Sequence, residues 1–235
     1  MNIVATIKWL KSIYGSLRLR FPRRSRFGYI GKNSIIEYPV EVDSPQSVFI
    51  SENAKIRNGC AIINSPNEKV YIGKYTSIAS YCVFVPANHR STVTIPHFLL
   101  GPSHINDKSQ DLHIGEDVWC GTSSVILSGA NLGRGCIVAA NSVVNKPVPP
   151  YAVVGGAPAK IIAVKFSIDQ ILEHEKALYP ENERLSREYL EQLFAEHFVD
   201  KKVFGTSDGI DDAAREKLEE MKKMTRYIDW QESEK

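Results

Sequence analysis

Four of the six histidines in this 235-residue chain, His89, His97, His104 and His113, fall between Phe84 and Ile114. Imidazole titrates near physiological pH, so it can take a proton from a hydroxyl and return it within one reaction. It is also a zinc ligand, but a catalytic zinc needs three convergent protein ligands. The four cysteines, Cys60, Cys82, Cys120 and Cys136, have no CxxC spacing, which leaves buried structural thiols as their expected role.

A repeat positions these residues. Every sixth residue from Ile114 is apolar: Ile114, Cys120, Ile126, Leu132, Val138 and Val144. Four places after each stands a small or β-branched residue: Val118, Ser124, Ala130, Cys136, Ser142 and Val148. Neither a helix nor an ordinary strand sustains a period of six. The pattern suits short strands around a triangular prism, one hexapeptide to a side and three to a coil, with the aliphatic inside and the small residue near the corner. The register also runs through Ile30, Ile36, Val42 and Val48. It slips by two to Ile50, Ile56 and Ile62, and resumes after a bulge at residues 65–69 with Ile72, Ile78 and Phe84. The long interruption from Phe84 to Ile114 is therefore an extruded loop, and a loop of that length in a compact domain is usually functional.

The flanks differ from the repeat. Ile3, Ile7, Leu10, Tyr14 and Leu17 share one helical face until Pro22, and residues 1–26 carry seven Lys or Arg and no acid. Ser167 with Gln170 forms a capping box before Ile171 and Leu172. Leu185, Leu190, Leu193 and Phe194, then Ala214, Leu218, Met221 and Ile228, mark further helices expected to fold back over the prism, separated by a linker at residues 205–209. The division expected is 1–29 as a basic amphipathic segment, 30–166 as the repeat domain and 167–235 as a helical extension. A net charge of +2 argues against a dedicated nucleic-acid binder. Without a membrane-length apolar run or a secretory signal, the default address is cytoplasmic.

The run IGKYTSIASYCVFVPANHR, then IGEDVWCGTSSVILSGANLGRGCIVAANSVV, then PPYAVVGGAPAKII resembles the hexapeptide-repeat acetyltransferases. The likeness is greatest to the xenobiotic branch and its bacterial polysaccharide O-acetyltransferase relatives, and it covers roughly residues 30–165. It implies an all-β solenoid, a left-handed parallel β-helix with an extruded active-site loop, to which the patterns of the flanks add a short N-terminal amphipathic helix and C-terminal helices. Physics alone would favour right-handed crossovers, so the hand comes from the resemblance. The resemblance also implies a homotrimer with acetyl-CoA as co-substrate in clefts between subunits, and no metal. A γ-class carbonic anhydrase shares the fold but draws three zinc-binding histidines from neighbouring coils, whereas here they crowd one loop.

By the resemblance, His89 in the NHR string is the general base, acting directly without a covalent enzyme intermediate. His97, His104 and His113 are read as solvated or structural. Thr122 and Ala140, eighteen residues and one coil apart, would offer backbone N–H groups to pantetheine. Lys146 and Lys160 would lie near the nucleotide phosphates, and Trp119 would border the active site. Family members often carry a basic residue three places after Lys160; here it is Ala163, so phosphate binding is expected to lean on Lys165 or a partner subunit. The acceptor implied is a sugar hydroxyl in a bacterial cell-surface polysaccharide or its precursor. An antibiotic hydroxyl is the alternative, and a non-catalytic β-helix scaffold is a further one. For residues 1–26, peripheral membrane contact and a cap on the prism stay equally open.

Overall fold

The computed structural model describes residues 13, 15, 17, 19–206 and 208–227. The first coil consists of β1 (Tyr29–Ile30), β2 (Ile35–Ile36) and β3 (Glu41–Val42), and the second of β4 (Val48–Ile50), β5 (Lys55–Ile56) and β6 (Ala61–Ile62). The third holds β7 (Val70–Ile72), β8 (Ser77–Ile78) and β9 (Val83–Val85), and the fourth β10 (Leu112–Ile114), β11 (Trp119–Cys120) and β12 (Val125–Leu127). Then come β13 (Ile137–Val138) and β14 (Val143–Val144), before the hairpin of β15 (Ala152–Gly156) and β16 (Ala159–Val164).

The strands visit three sheets in rotation, ordered β1-β4-β7-β10, β2-β5-β8-β11-β13-β15-β16 and β3-β6-β9-β12-β14. All pairings are parallel until the antiparallel β15–β16 hairpin. A chain that returns to the same sheet every third strand is a coil with three faces, and each two- or three-residue strand is stable only because its neighbours stack on it. The register gives the length of each circuit. Tyr29 lies opposite Phe49, Phe49 opposite Tyr71 and Tyr71 opposite His113; Trp119 lies opposite Ile137, one unbroken eighteen-residue turn later.

Every residue that the period assigns to the interior between Ile114 and Val148 is buried, Ser124 and Ser142 included. Buried hydroxyls need partners, and Ser124 Oγ lies 3.3 Å from Cys82 Sγ while Ser142 Oγ accepts from Gly156 N. The slip of two residues is a 3-10 turn at Pro45–Ser47. At the bulge, Asn64 Nδ2 donates to the Ser44 and Glu68 carbonyls. One corner repeats a left-handed residue in each coil, at Asn33, Asn53, Tyr75, Asp117, Gly135 and Tyr151. The glycine after the aliphatic serves close approach instead: a Cβ on Gly115 would meet the Leu132 carbonyl oxygen at 2.7 Å.

The C-terminal helices are α2 (Ile168–Leu178), α3 (Arg187–His197) and α4 (Asp212–Thr225); α1 (His97–Ser103) lies inside the long loop. The capping box at Ser167 and Gln170 is present in both directions. Ile171, Leu190, Leu193 and Phe198 join the prism core, so α2 and α3 close its end. Beneath them Glu175, fully buried, accepts from Arg134 Nη1 at 2.9 Å, Tyr151 Oη at 2.7 Å and Leu185 N at 3.2 Å.

The last helix departs from expectation. α4 buries no residue, and Leu218, Met221 and Met224 stay exposed. An apolar stripe requires a cover to be buried, but its pattern does not say that the prism provides one. At the other end, Ile13, Gly15, Leu17, Leu19 and Arg20 are helical. Ile3, Ile7, Leu10, Tyr14 and Ile228 lie outside the described residues. Among the described residues, no helix is long and apolar enough to cross a membrane.

Candidate active site

β9 ends at Val85, and Pro86 turns the chain out of the prism. The outgoing and returning arms run side by side: Gln110 N donates to the Pro86 carbonyl, Lys108 N to the Asn88 carbonyl, and Asn88 N to Ser109 Oγ, each at 3.3 Å. This pairing fixes where His89 meets Asp107. Nδ1 of His89 lies 3.1 Å from Asp107 Oδ1, and Nδ1 of His104 lies 2.9 Å from Oδ2. The two rings stand 5.6 Å apart at 51°.

Hydrogen bonds from His104 and then His89 hold the Asp107 carboxyl below the ordinary aspartate range. At neutral pH it is ionised and can only accept, so the His89 ring proton sits on Nδ1 and the lone pair on Nε2. His89 is part-exposed, so a solute can reach that nitrogen. A carboxylate that orients an imidazole and favours its charged form is the standard support for a general base.

The other histidines have separate places. His97 Nε2 lies 3.1 Å from Ser91 Oγ within the loop. His113 lies on the outer face of β10, its ring stacked 4.7 Å from Tyr71, which stacks 5.1 Å from Phe49. His104, expected to be solvated or structural, is hydrogen-bonded to the same carboxylate as His89.

Thr122 and Ala140 are both exposed and lie one above the other, with Asn141 N donating to the Thr122 carbonyl at 2.9 Å. Val138 and Ser142, flanking Ala140 two places away, point inward and are fully buried. A Cβ on Gly121 would sit 2.6 Å from Ala140 N, so the glycine lets the two coils approach there. Thr122 Oγ1 donates to the Ser80 carbonyl. Trp119, half exposed, stands on the outer face of the second sheet between Ser77 and Ile137.

Lys146 and Lys160 line one cleft of about 340 Å³ with Pro147, Pro149 and a third base, Lys201. Among the described residues none of these lysines is in an ion pair, so their charge is available to a phosphate. Lys165 does not serve there. Its ammonium lies 2.6 Å from Asp117 Oδ2, which His174 also approaches at 3.0 Å. The four cysteines are buried; burial pushes the Cys136 thiol up to about 12 and that of Cys120 well above its ordinary value.

No protein-family model matches the sequence. A chloramphenicol acetyltransferase of Morganella morganii is 34% identical over 116 residues, 44% of this chain and 55% of that protein. An Escherichia coli K12 protein named for lipopolysaccharide biosynthesis O-acetyl transfer is 34% identical over 120 residues, covering 49% of this chain and 59% of that protein. A Saccharomyces cerevisiae protein named as an acetyltransferase is 30% identical over 139 residues, 59% of this chain and 67% of its own length. Among solved structures, a hexapeptide-repeat acetyltransferase of Vibrio cholerae in complex with acetyl-CoA superimposes with a TM-score of 0.57 at 26% identity, covering 70% of this chain and 92% of that one. The chain belongs to the hexapeptide-repeat acetyltransferases. It spans little more than half the length of the first of these relatives.

Sequence reasoning missed Asp107 and Lys201. Asp107 follows His104 by three places but obeys no period, because it lies in the extruded loop; only its place on the returning arm distinguishes it. Lys201 follows α3, and nothing in the repeat register reaches it.

Proposed function

We propose that the protein transfers an acetyl group from acetyl-CoA to a sugar hydroxyl in a bacterial cell-surface polysaccharide or its precursor. The reading takes the prism to be a left-handed β-helix and the active form to be a homotrimer. The observation that carries it is the Asp107 carboxylate on Nδ1 of His89, which leaves Nε2 as the proton acceptor. That nitrogen takes the acceptor's hydroxyl proton as the oxygen attacks the thioester carbonyl. The carbon–sulfur bond breaks, and the proton passes from Nε2 to the departing thiolate, so the ring ends as it began. No enzyme nucleophile is required, since the acyl group arrives activated.

The residues present fit CoA. Lys146, Lys160 and Lys201 would hold its phosphates, and the backbone N–H groups of the exposed residues Thr122 and Ala140 would pair with the pantetheine amides. Trp119 would cover the thioester end. The lysine cleft closes the prism two to three coils beyond the loop, roughly 10–15 Å at strand spacing, a span suited to a long, thin carrier. Trimer assembly is supported by Val93, Phe98, Leu99 and Ile105, which leave the loop tip largely apolar and exposed.

The sugar acceptor draws support from the Escherichia coli relative and from the basic residues between Met1 and Arg26, which would favour an anionic membrane surface where lipid-linked sugars lie. A second reading, acetylation of an antibiotic hydroxyl, is favoured by the likeness to chloramphenicol and macrolide acetyltransferases. Incubation with labelled acetyl-CoA and a panel of sugars, lipid-linked sugars and antibiotics separates the two. Label moving to chloramphenicol or a macrolide but to no sugar would overturn the first reading.

A further inference from the structure

Beyond acetyl transfer, the loop brings together three side chains that neither the repeat nor the comparisons explain as a set. One ring nitrogen from each of His89 and His104 and a carboxylate oxygen of Asp107 all lie within 4.8 Å of one another, and in both rings Nδ1 is the nitrogen that faces the carboxylate. Two imidazoles and one carboxylate are a donor set for a borderline transition ion such as Zn²⁺, with a fourth position left for water. With metal–ligand distances of about 2.0–2.1 Å, tetrahedral ligands stand about 3.4 Å apart. The nitrogen–oxygen distances, 3.1 Å from His89 to Oδ1 and 2.9 Å from His104 to Oδ2, are close to that, and the two rings must draw together on one carboxylate oxygen or share both. Their side chains are 40% and 61% exposed, so this costs rotation about exposed torsions rather than repacking. Asp107, 15% exposed and held between the paired arms, supplies the fixed point.

We propose that His89, His104 and Asp107 form a divalent transition-metal site whose occupation switches off the base at His89. The switch follows from the tautomer. Without metal, the single ring proton of neutral His89 sits on Nδ1, donated to Asp107, and Nε2 is free. A metal on Nδ1 needs that lone pair, so the proton relocates to Nε2. The ring keeps one proton, no electron changes hands, and the nitrogen that must accept the acceptor's proton already carries one. His104 undergoes the same exchange, and Asp107 gives up two hydrogen bonds for one metal bond. The ion is therefore a reversible inhibitor, a role different from the catalytic zinc weighed above. The inhibitory half rests on the acetyl-transfer reading; the binding half does not.

The test uses the full chain stripped of metal. Titration with Co²⁺, followed by its visible d–d absorption, and competition for Zn²⁺ against a chromophoric chelator measure uptake directly. One ion per chain is expected. Loss of an outer partner of a metal ligand typically weakens binding 10- to 100-fold, so His104→Ala and Asp107→Asn should weaken it by at least about tenfold. His97→Ala, in the same loop but bonded to Ser91, should not change it. Acetyl transfer is then followed with and without saturating Zn²⁺, each variant against its own zinc-free rate. Wild type should lose at least about 90% of turnover and recover it with a chelator, matching the loss of a general base.

Absence of stoichiometric uptake, or unchanged uptake in His104→Ala, would overturn the site. Bound Zn²⁺ with unchanged turnover, or turnover that requires the metal, would overturn the switch. If the metal-free wild type acetylates nothing, the acetyl-transfer reading fails with the switch, and the uptake experiments alone decide the site.

Discussion

Replacement of Glu175 by alanine tests how the C-terminal helices are held to the prism. Glu175, on the buried face of α2, accepts from Arg134, Tyr151 and the backbone of Leu185. Breaking a buried ion pair by removing one partner costs about 3–5 kcal/mol, because the remaining groups stay buried and unpaired. Arg134 is not abandoned here. Its guanidinium keeps Glu116 at 2.7 Å and the Glu183 carbonyl at 2.7 Å, and packs 4.1 Å from the Tyr179 ring. The Tyr151 hydroxyl, fully buried, loses its partner outright. The lower end of the range applies, about 3 kcal/mol, and at about 2–4 °C per kcal/mol for a chain of this size the midpoint should fall by about 6–12 °C. Thermal unfolding followed by circular dichroism gives the number. Adding Tyr151→Phe to Glu175→Ala removes the stranded hydroxyl and should recover about 1 kcal/mol. A midpoint drop below about 2 °C, or no recovery in the double variant, would show that the network does not clamp the helices.

Asp107→Asn should lower kcat by about tenfold or more at unchanged KM for acetyl-CoA, since Asp107 orients His89 but does not reach the carrier; a KM effect alone would contradict that role. Ala140→Trp should raise the KM for acetyl-CoA strongly at nearly constant midpoint, while Lys201→Ala should raise it modestly, by an amount that shrinks with added salt. Acid should loosen the C-terminal helices through Asp117. Burial works to raise its carboxyl, but the hydrogen bond from His174 and the Lys165 ammonium outweigh that and hold it below the ordinary range. Its contribution is therefore complete above the unfolded value near pH 4 and is lost as pH falls through the lower folded value. The midpoint difference between wild type and Asp117→Asn should close as pH falls below about 4; a difference that grows as pH falls below that value would reverse the sign.

The prism was legible because its interior is a stack: Ile114, Cys120 and Ile126 repeat only if each strand meets its copy one coil later. The capping box at Ser167 was legible for a local reason, since both hydrogen bonds lie within four residues. Asp107 was not, because an extruded loop has no period and its partners are set by how its two arms pair. Lys165, one of the two substitutes expected for a second basic residue beside Lys160, is drawn elsewhere for a similar reason. Lys165 has the right charge and neighbourhood in sequence, but Asp117 and His174 claim it, and Lys201 arrives from beyond α3. Leu218 and Met221 announced an amphipathic helix without naming what covers it.

The central claim is that His89 Nε2 accepts the proton of the attacking hydroxyl. The most direct measurement is the initial rate of labelled acetyl transfer by wild type and by His89→Ala, on the best acceptor the panel yields. Circular dichroism and light scattering would check that both are folded and share one oligomeric state. The account predicts a loss of ~10²- to 10⁴-fold in kcat, with acetyl-CoA still bound. A His89→Ala protein that is folded and turns over near the wild-type rate would contradict it.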